Sequence, residues 1–265
     1  MKSNFKNKIN KYVEYFITKL KQFLKQKYFK YKNVVIKYML EKNKKSDSLI
    51  VIFSACTRPG ISARYNYVRT LKNIKANKLF ILDDFGLDKR GGFYLGEYPE
   101  FLFEESTKNL IDSIIKKYNY KKIFFVGSSK GGYAALNFGF LYKNAIMIVG
   151  APQYFLGRFL AAPANKITID GMKIESQEDI LEIDRRLENR IKNNKNSNCQ
   201  KIYIHYSNKE HTFEDHISEL IKTLQSEKYN LVEEIMDYTE HGDVSFHYPK
   251  FLINSLKEEG VEEND

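Results

Sequence analysis

Short apolar runs alternate with amphipathic segments along most of the chain. The apolar runs, rich in β-branched and aromatic residues, are 78–82, 122–126, 145–149, 201–206 and 231–238. Segments with helical spacing of apolar residues separate or follow them, at about 65–74, 106–118, 133–142, 213–226 and 246–257. Buried strands that alternate with helices predict an α/β fold with a mainly parallel central sheet and helices on both faces.

Two further apolar runs, 33–40 and 49–54, precede this alternation. The polar, turn-forming segment 41–48 separates them, which favours a β-hairpin. The segment 151–200 is too long for a simple loop and contains a charged helical pattern over 178–192. We expect it to be an insertion that caps the site. The α/β domain would then span 33–258, and the acidic tail 259–265 would fray.

The start of the sequence is rich in lysine and has a helical pattern of its own. From Phe5 to Leu24 the apolar residues recur every three or four positions, with lysines on the opposite side. This spacing predicts a basic amphipathic helix over residues 1–32. Such a helix suits adsorption to the anionic inner face of a cell membrane, through residues 1–30, or packing against protein, and both interpretations stay open.

The positive charge belongs to this first segment and not to the folded body. The formal net charge is +10, but residues 1–47 alone hold fourteen lysines and three acids. The 29 basic and 30 acidic residues that remain nearly balance. The overall charge therefore does not indicate a nucleic-acid-binding protein.

The cysteines and the hydropathy indicate a cytoplasmic protein. Cys56 and Cys199 lie far apart and form no redox or metal-binding pair, so no disulfide is expected. No run is long and apolar enough for a membrane span, and no secretion signal opens the chain. The five histidines lack metal-ligand spacing. The sequence thus predicts neither a metal nor a cofactor, and a location in the cytoplasm or at the inner face of the membrane.

A glycine-flanked serine follows the strand at 122–126. The sequence there is Gly127-Ser128-Ser129-Lys130-Gly131, and a helix follows. A G-x-S-x-G turn between a strand and a helix holds its middle serine in a strained, exposed position. We predict Ser129 as a nucleophile and the backbone N–H of Lys130 as a donor to a developing oxyanion. An ordinary turn or a phosphate-binding loop is the alternative.

A serine nucleophile needs a general base, and the base needs an acid that orients it. On this kind of sheet the chain order is serine, acid, histidine. His241 follows the last strand and is the predicted base, with His247 as the alternative.

The acid is expected in the loop after the strand at 201–206. Glu210 occupies the position that an aspartate often holds there. Glu214 and Asp215 are the alternatives, although both fall in the first turn of the next predicted helix, where the helix dipole favours acids.

Other residues near these loops are candidates for binding the oxyanion or the substrate. Ala55 or Cys56, after the strand at 49–54, would supply a second oxyanion donor through its backbone N–H. The candidate substrate-binding residues are Arg58, Arg64, Tyr65 and Asp84, whereas Arg69 is favoured as a surface ion-pair former.

The motif Gly-Ser-Ser-Lys-Gly-Gly at 127–132 resembles the nucleophile motif of a divergent α/β-hydrolase group. This group includes XcbB/CpsF-type capsular polysaccharide synthesis proteins and is distantly similar to accessory Sec proteins of the acetyltransferase kind. Arg64-Tyr65-Asn66-Tyr67, Gly150-Ala151-Pro152-Gln153 and His241-Gly242-Asp243-Val244 support the resemblance, which covers about 33–256. It implies an α/β-hydrolase-like fold and a role in bacterial cell-surface polysaccharide or glycoprotein production.

Together these features predict a serine esterase or O-acyltransferase that forms an acyl-Ser129 intermediate on an acyl-bearing or glycan substrate. The alternative is a non-catalytic hydrolase-fold scaffold in a membrane-associated polysaccharide assembly or secretion complex.

Overall fold

A central sheet dominates the computed structural model, which describes residue 22 and residues 24–194 and 200–264. Within these residues the sheet has eight strands in the order β1-β2-β4-β3-β5-β6-β7-β8. The strands are β1 (Lys27–Tyr31), β2 (Val34–Glu41), β3 (Ser48–Phe53), β4 (Asn77–Leu82), β5 (Lys122–Ser128), β6 (Ala145–Gly150), β7 (Lys201–Ser207) and β8 (Asn230–Met236). From β4 to β8 all neighbours are parallel, whereas β2 is antiparallel to both β1 and β4. The predicted mainly parallel sheet is confirmed.

Helices cover both faces of this sheet. In the described part of the chain they are α1 (Leu102–Tyr118), α2 (Lys130–Gly139), α3 (Leu156–Ala161), α4 (Lys166–Gly171), α5 (Gln177–Lys192), α6 (Ser218–Ser226) and α7 (Val244–Glu258). Short 3₁₀ helices form at Pro163–Asn165 and His241–Asp243, and a π-helical turn forms at Phe213–Ile217. No helix among these residues is long and apolar enough to cross a membrane.

The core lies in two layers, one on each face of the sheet. Every residue of β3 is buried, and its side chains alternate between the layers: Leu49 and Val51 join the layer beneath α1, α2, α5 and α6, while Ile50 and Ile52 join the layer beneath α7. This burial on both faces explains why the apolar runs in the sequence are continuous and not alternating.

The predicted hairpin between the first two apolar runs is wrong. β3 lies between β4 and β5, and β2 pairs instead with β1 through a tight turn at Lys32 and Asn33. Lys32 has a φ of 50°, in the left-handed region that two-residue hairpin turns need. Because β3 is buried on both faces, it takes the central place, and the partly exposed β2 lies nearer the edge.

The predicted helix over residues 1–32 is wrong at its C-terminal end, because Lys27–Tyr31 forms β1. Aromatic residues favour strands, and Phe29 packs against the core while the Tyr31 hydroxyl donates to Glu105 of α1 at 3.0 Å. Gln22, Leu24 and Lys25 are helical. Residues 1–21 and 23 lie outside the described part of the chain, and so does the rest of that prediction.

Two other local predictions also need correction. The segment expected to be helical at 65–74 forms turns, although its apolar spacing does bury Leu71 and Ile74. Tyr67, with a φ of 60°, departs from helical geometry. The acidic tail does not fray up to residue 264: Val261 is buried, and Glu263 forms an antiparallel bridge with Ile74.

The insertion after β6 packs beside the other helices. Apolar residues of α5 join the core layer beneath α1 and α2, namely Ile183, Leu187 and Ile191. Two arginines of the same helix, Arg186 and Arg190, form ion pairs with the nearly buried Glu104 of α1. These contacts make the described part of 151–200 an integral layer of the domain. Its predicted role as a cap over the site stays a prediction.

Candidate active site

A sharp turn between β5 and α2 holds Ser129 at the carboxyl end of the sheet. Its φ of 52° and ψ of −122° place it in a conformation that residues with side chains rarely adopt. The turn closes only because its flanking residues are glycines. A Cβ atom on Gly127 would lie 2.4 Å from the carbonyl oxygen of Gly131, and one on Gly131 would lie 2.6 Å from that of Phe53. The strand, turn and helix predicted around Ser129 are therefore present.

Three predicted residues meet at this turn. The Nε2 atom of His241 lies 3.0 Å from the Oγ atom of Ser129, and its Nδ1 atom lies 3.2 Å from the Oε1 atom of Glu210. Glu210 follows β7 and His241 follows β8, and both strands end on the same edge of the sheet as β5. A hydroxyl, an imidazole and a carboxylate in this sequence of contacts can activate the hydroxyl as a nucleophile.

Glu210 is held in a buried position at the end of this line. Its side chain is fully buried, and the Thr212 hydroxyl donates to its Oε1 atom. Its Oε2 atom is buried and has no hydrogen-bond partner within residues 24–194 and 200–264. His241 Nδ1 and the Thr212 hydroxyl therefore both contact the same oxygen of Glu210. These contacts hold the carboxylate against the Nδ1 side of the imidazole ring.

The alternative residues lie elsewhere. His247 stacks on the ring of Tyr238, with centroids 5.3 Å apart and planes 9° from parallel. Glu214 and Asp215 belong to the π-helical turn and line a separate cavity beside Phe155. The geometry thus favours His241 and Glu210 over all three.

Candidate oxyanion donors flank the serine. Lys130 is the first residue of α2, where backbone N–H groups lack partners within the helix. On the opposite side, the N–H of Ala55 donates to Oδ1 of Asn66 at 3.2 Å, which makes the N–H of Cys56 the better second candidate. Both Ala55 and Cys56 line the same cavity as Ser129. Desolvation by neighbouring atoms raises the pKa of the Cys56 thiol.

The side chain of Lys130 has a role that the sequence did not indicate. It is fully buried, as is Asp83, and its Nζ atom lies 3.1 Å from Asp83 Oδ2 and 2.8 Å from the carbonyl oxygen of Arg90. Asp83 also accepts hydrogen bonds from the N–H groups of Gly92 and Tyr94. A buried ion pair therefore joins the serine turn to the loop after β4.

The network continues to the other side of the site. The Tyr94 hydroxyl donates to the carbonyl of Ile81 and accepts from the N–H of Ser54, the residue directly before Ala55. Arg90 donates through Nε to the carbonyl of Thr57 in the same loop. The buried pair is thus connected to both loops that carry candidate oxyanion donors.

Gln153 is a second neighbour of Ser129 that sequence analysis missed as a site residue. Its Nε2 atom donates to Ser129 Oγ at 3.1 Å, and its side chain is 2% exposed. Its position directly after β6, on the same sheet edge, was the available signal.

An open cavity of about 510 Å³ adjoins Ser129 and His241. Arg64, Tyr65 and Arg69 line it, and no carboxylate is among the lining residues that the structure describes. Neither arginine forms an ion pair within the described residues, so the expected surface ion pair of Arg69 is not found there. Guanidinium groups without an ion pair among the described residues, in a cavity that Ser129 also lines, favour an anionic ligand.

Two predicted substrate-binding residues are not brought to this cavity. Asp84 forms an ion pair with Lys37 of β2 at 2.5 Å, and neither Asp84 nor Arg58 is among the lining residues. No group of His, Cys, Asp or Glu side chains suited to a metal ion occurs in the described parts of the chain.

The fold is similar to that of several solved structures, although neither a scan of protein families nor a search of curated proteins found a match. A mutant of the capsule O-acetyltransferase of Neisseria meningitidis serogroup A, in complex with CoA, is 20% identical, with a TM-score of 0.74 over 88% of this chain and 95% of that one. The Glycosylation Associate Protein (Gap123) complex from Streptococcus agalactiae is 16% identical, with a TM-score of 0.68 over 88% and 47%. An S-formylglutathione hydrolase from Agrobacterium tumefaciens is 11% identical, with a TM-score of 0.60 over 88% and 94%. The chain therefore has the α/β-hydrolase fold that its serine turn predicted.

Proposed function

We propose that this protein is an acyltransferase or esterase that works through an acyl-enzyme intermediate on Ser129. The observation that carries the proposal is the line of contacts from Ser129 Oγ to His241 and on to Glu210. The strained turn that presents the serine at a helix N-terminus supports it independently.

In this proposal His241 acts as the general base. Its Nε2 atom takes the proton of Ser129 as Oγ forms a bond to the acyl carbon, and the N–H groups of Lys130 and Cys56 stabilise the oxyanion. Glu210 keeps Nδ1 protonated and stabilises the imidazolium. The leaving group then departs with the proton from His241. A second nucleophile, an acceptor hydroxyl or water, repeats these steps in reverse and releases Ser129.

We propose a glycan hydroxyl as the acceptor and an acyl thioester of CoA as the donor. The neighbouring Neisseria enzyme is a capsule O-acetyltransferase and was solved with CoA. The resemblance of the serine motif to capsular polysaccharide synthesis proteins points to the same substrate class. Arg64 and Arg69 suit a donor that carries phosphates, because a guanidinium binds phosphate through two parallel hydrogen bonds.

Labelling with a fluorophosphonate, which reacts with activated serines, tests the proposal. We expect wild type to be labelled and Ser129→Ala to be unlabelled in the full-length protein. The neighbouring Ser128 offers a matched control, because its Oγ atom contacts the hydroxyl of Tyr67 at 2.6 Å and is not activated by His241. Ser128→Ala should still be labelled. Equal labelling of Ser129→Ala and wild type would contradict the proposal.

The two cavity arginines should select the anionic donor. We expect Arg64→Gln and Arg69→Gln each to raise the KM for acetyl-CoA about tenfold or more, because a charge-assisted hydrogen bond contributes about 1.5–3 kcal/mol. The KM for a neutral acetyl thioester, such as S-acetyl-N-acetylcysteamine, should not change. Arg185→Gln is the matched control, since Arg185 is exposed on α5 and does not line the cavity. Equal effects on both donors would rule out phosphate recognition by these residues.

A non-catalytic scaffold is the second candidate. The structural similarity to a chain of the Streptococcus agalactiae complex favours it. An absence of fluorophosphonate labelling in wild type would support it. In either case we propose a cytoplasmic location, with the lysine-rich segment that precedes β1 adsorbed to the inner membrane surface. That part of the proposal is supported by the lysine-rich amphipathic pattern of the sequence alone.

A further inference from the structure

Ser129 Oγ has two hydrogen-bond partners among the described residues, and one of them, Gln153, takes no part in the mechanism proposed above. Besides His241 Nε2 at 3.0 Å, the hydroxyl contacts the side-chain amide nitrogen of Gln153 at 3.1 Å. An amide N–H only donates, so it occupies a lone pair of Oγ. The single proton of the hydroxyl is then directed to His241.

The Gln153 amide keeps this contact at a cost. Its Oε1 atom is buried and has no hydrogen-bond partner within the described residues. A buried carbonyl without a partner destabilises the folded protein. The opposite orientation of the amide would place Oε1 against Ser129, where it would accept the hydroxyl proton and draw it away from His241.

The backbone around Gln153 is also held rigidly. Ala151, two residues earlier, has a φ of 37°, and its N–H donates to the carbonyl of His205 in β7 at 2.8 Å. The N–H of Ser129 in turn donates to the carbonyl of Gly150 at 2.8 Å. The segment that carries Gln153 and the serine turn are therefore fixed relative to one another, and a strained backbone at such a place is typical of functional sites.

We propose that Gln153 is a catalytic residue, whose amide N–H stabilises negative charge on Ser129 Oγ each time that oxygen gains or loses its acyl group. During acylation the Oγ–carbon bond forms while the proton of Oγ passes to His241 Nε2. During deacylation the Oγ–carbon bond breaks, Oγ leaves with the electron pair, and it recovers the proton from His241. A fixed donor lowers the barrier of both steps, because charge develops on the same atom in each. This inference rests on the proposed function.

Burst kinetics with p-nitrophenyl acetate test the role of the amide. Gln153→Met keeps the length of the side chain and removes the donor. We expect it to lower the rate constants of the burst and of steady-state turnover by about ten- to a hundredfold, somewhat less than the loss of a full oxyanion donor. The ester concentration at half-saturation should not change, because Gln153 does not line the cavity. A packing role would instead lower the temperature of unfolding and leave the burst rate constant at the wild-type value.

A second variant keeps the test decisive if Gln153→Met fails to fold. Gln153→Glu preserves size and shape but replaces the donating group with an acceptor, which would compete with His241 for the serine proton. We expect fluorophosphonate labelling to be slower in Gln153→Glu than in wild type. Labelling at the wild-type rate in both variants would overturn the role of Gln153, whereas an unlabelled wild type would instead overturn the proposed function.

Discussion

His241→Ala should lower the rate of ester or thioester turnover by about 10⁴-fold or more, because it removes the proton acceptor of Ser129. The Nε2 atom of His241 is the only imidazole nitrogen in contact with Ser129 Oγ among the described residues. Without that base the hydroxyl attacks as a neutral alcohol, which is a poor nucleophile at neutral pH. Steady-state turnover of p-nitrophenyl acetate and of acetyl-CoA measures the effect, and fluorophosphonate labelling should be lost in parallel.

His247→Ala is the matched control for this variant. His247 lies six residues further along the chain but stacks on Tyr238, away from the serine. The His247→Ala variant should therefore retain turnover near that of wild type. Glu210→Gln should lower turnover, as His241→Ala does, because the Glu210 carboxylate contacts His241 Nδ1. Glu214→Gln should not lower turnover. Similar losses in His241→Ala and His247→Ala would contradict the assignment of the base.

Ser129, His241 and Glu210 could be chosen from the sequence because of a property of parallel sheets. Strands that run in parallel all end on one edge, so the loops that follow β5, β7 and β8 meet there whatever the details of the helices. A residue directly after an apolar run could therefore be assigned to that edge of the sheet. The buried strands themselves were predictable because they are apolar on both faces.

Contacts that depend on strand order or on pairs of loops could not be predicted in this way. The sequence shows that β2 and β3 are adjacent along the chain, but it does not show that β4 inserts between them. The partners of Gln153 and Asp83 were not predicted, because each is one polar residue in a loop and only the packing of distant segments brings it to Ser129 or to Lys130. A buried lysine in particular has no sequence pattern, because lysines are almost always exposed.

Removal of one member of the buried pair of Lys130 and Asp83 should destabilise the protein more than removal of one member of any other ion pair in the described structure. Removal of one member leaves a buried charge without its partner, which typically costs about 3–5 kcal/mol. We therefore expect Lys130→Met and Asp83→Asn each to lower the free energy of unfolding by about that amount. The double variant should lose no more than either single variant, and so much less than the sum of the two single losses, because it leaves no unpaired charge. Urea unfolding of the four proteins measures this coupling.

An exposed pair provides the comparison. Lys121 and Asp47 lie 3.0 Å apart, but their side chains are 81% and 55% exposed, so Asp47→Asn should change the free energy of unfolding little. Additive losses in Lys130→Met and Asp83→Asn would mean that the two residues act separately and that the pair does not couple the serine turn to the loop after β4.

The same double variant separates stability from activity. It restores the balance of charge, but it does not restore the bond that ties the serine turn to the loop of Asp83 and, through Tyr94, to Ser54 beside the second candidate oxyanion donor. We therefore expect it to regain stability relative to the single variants and still to turn over acyl esters more slowly than wild type. That result would mean that the pair is retained because it sets the distance between two loops of the site.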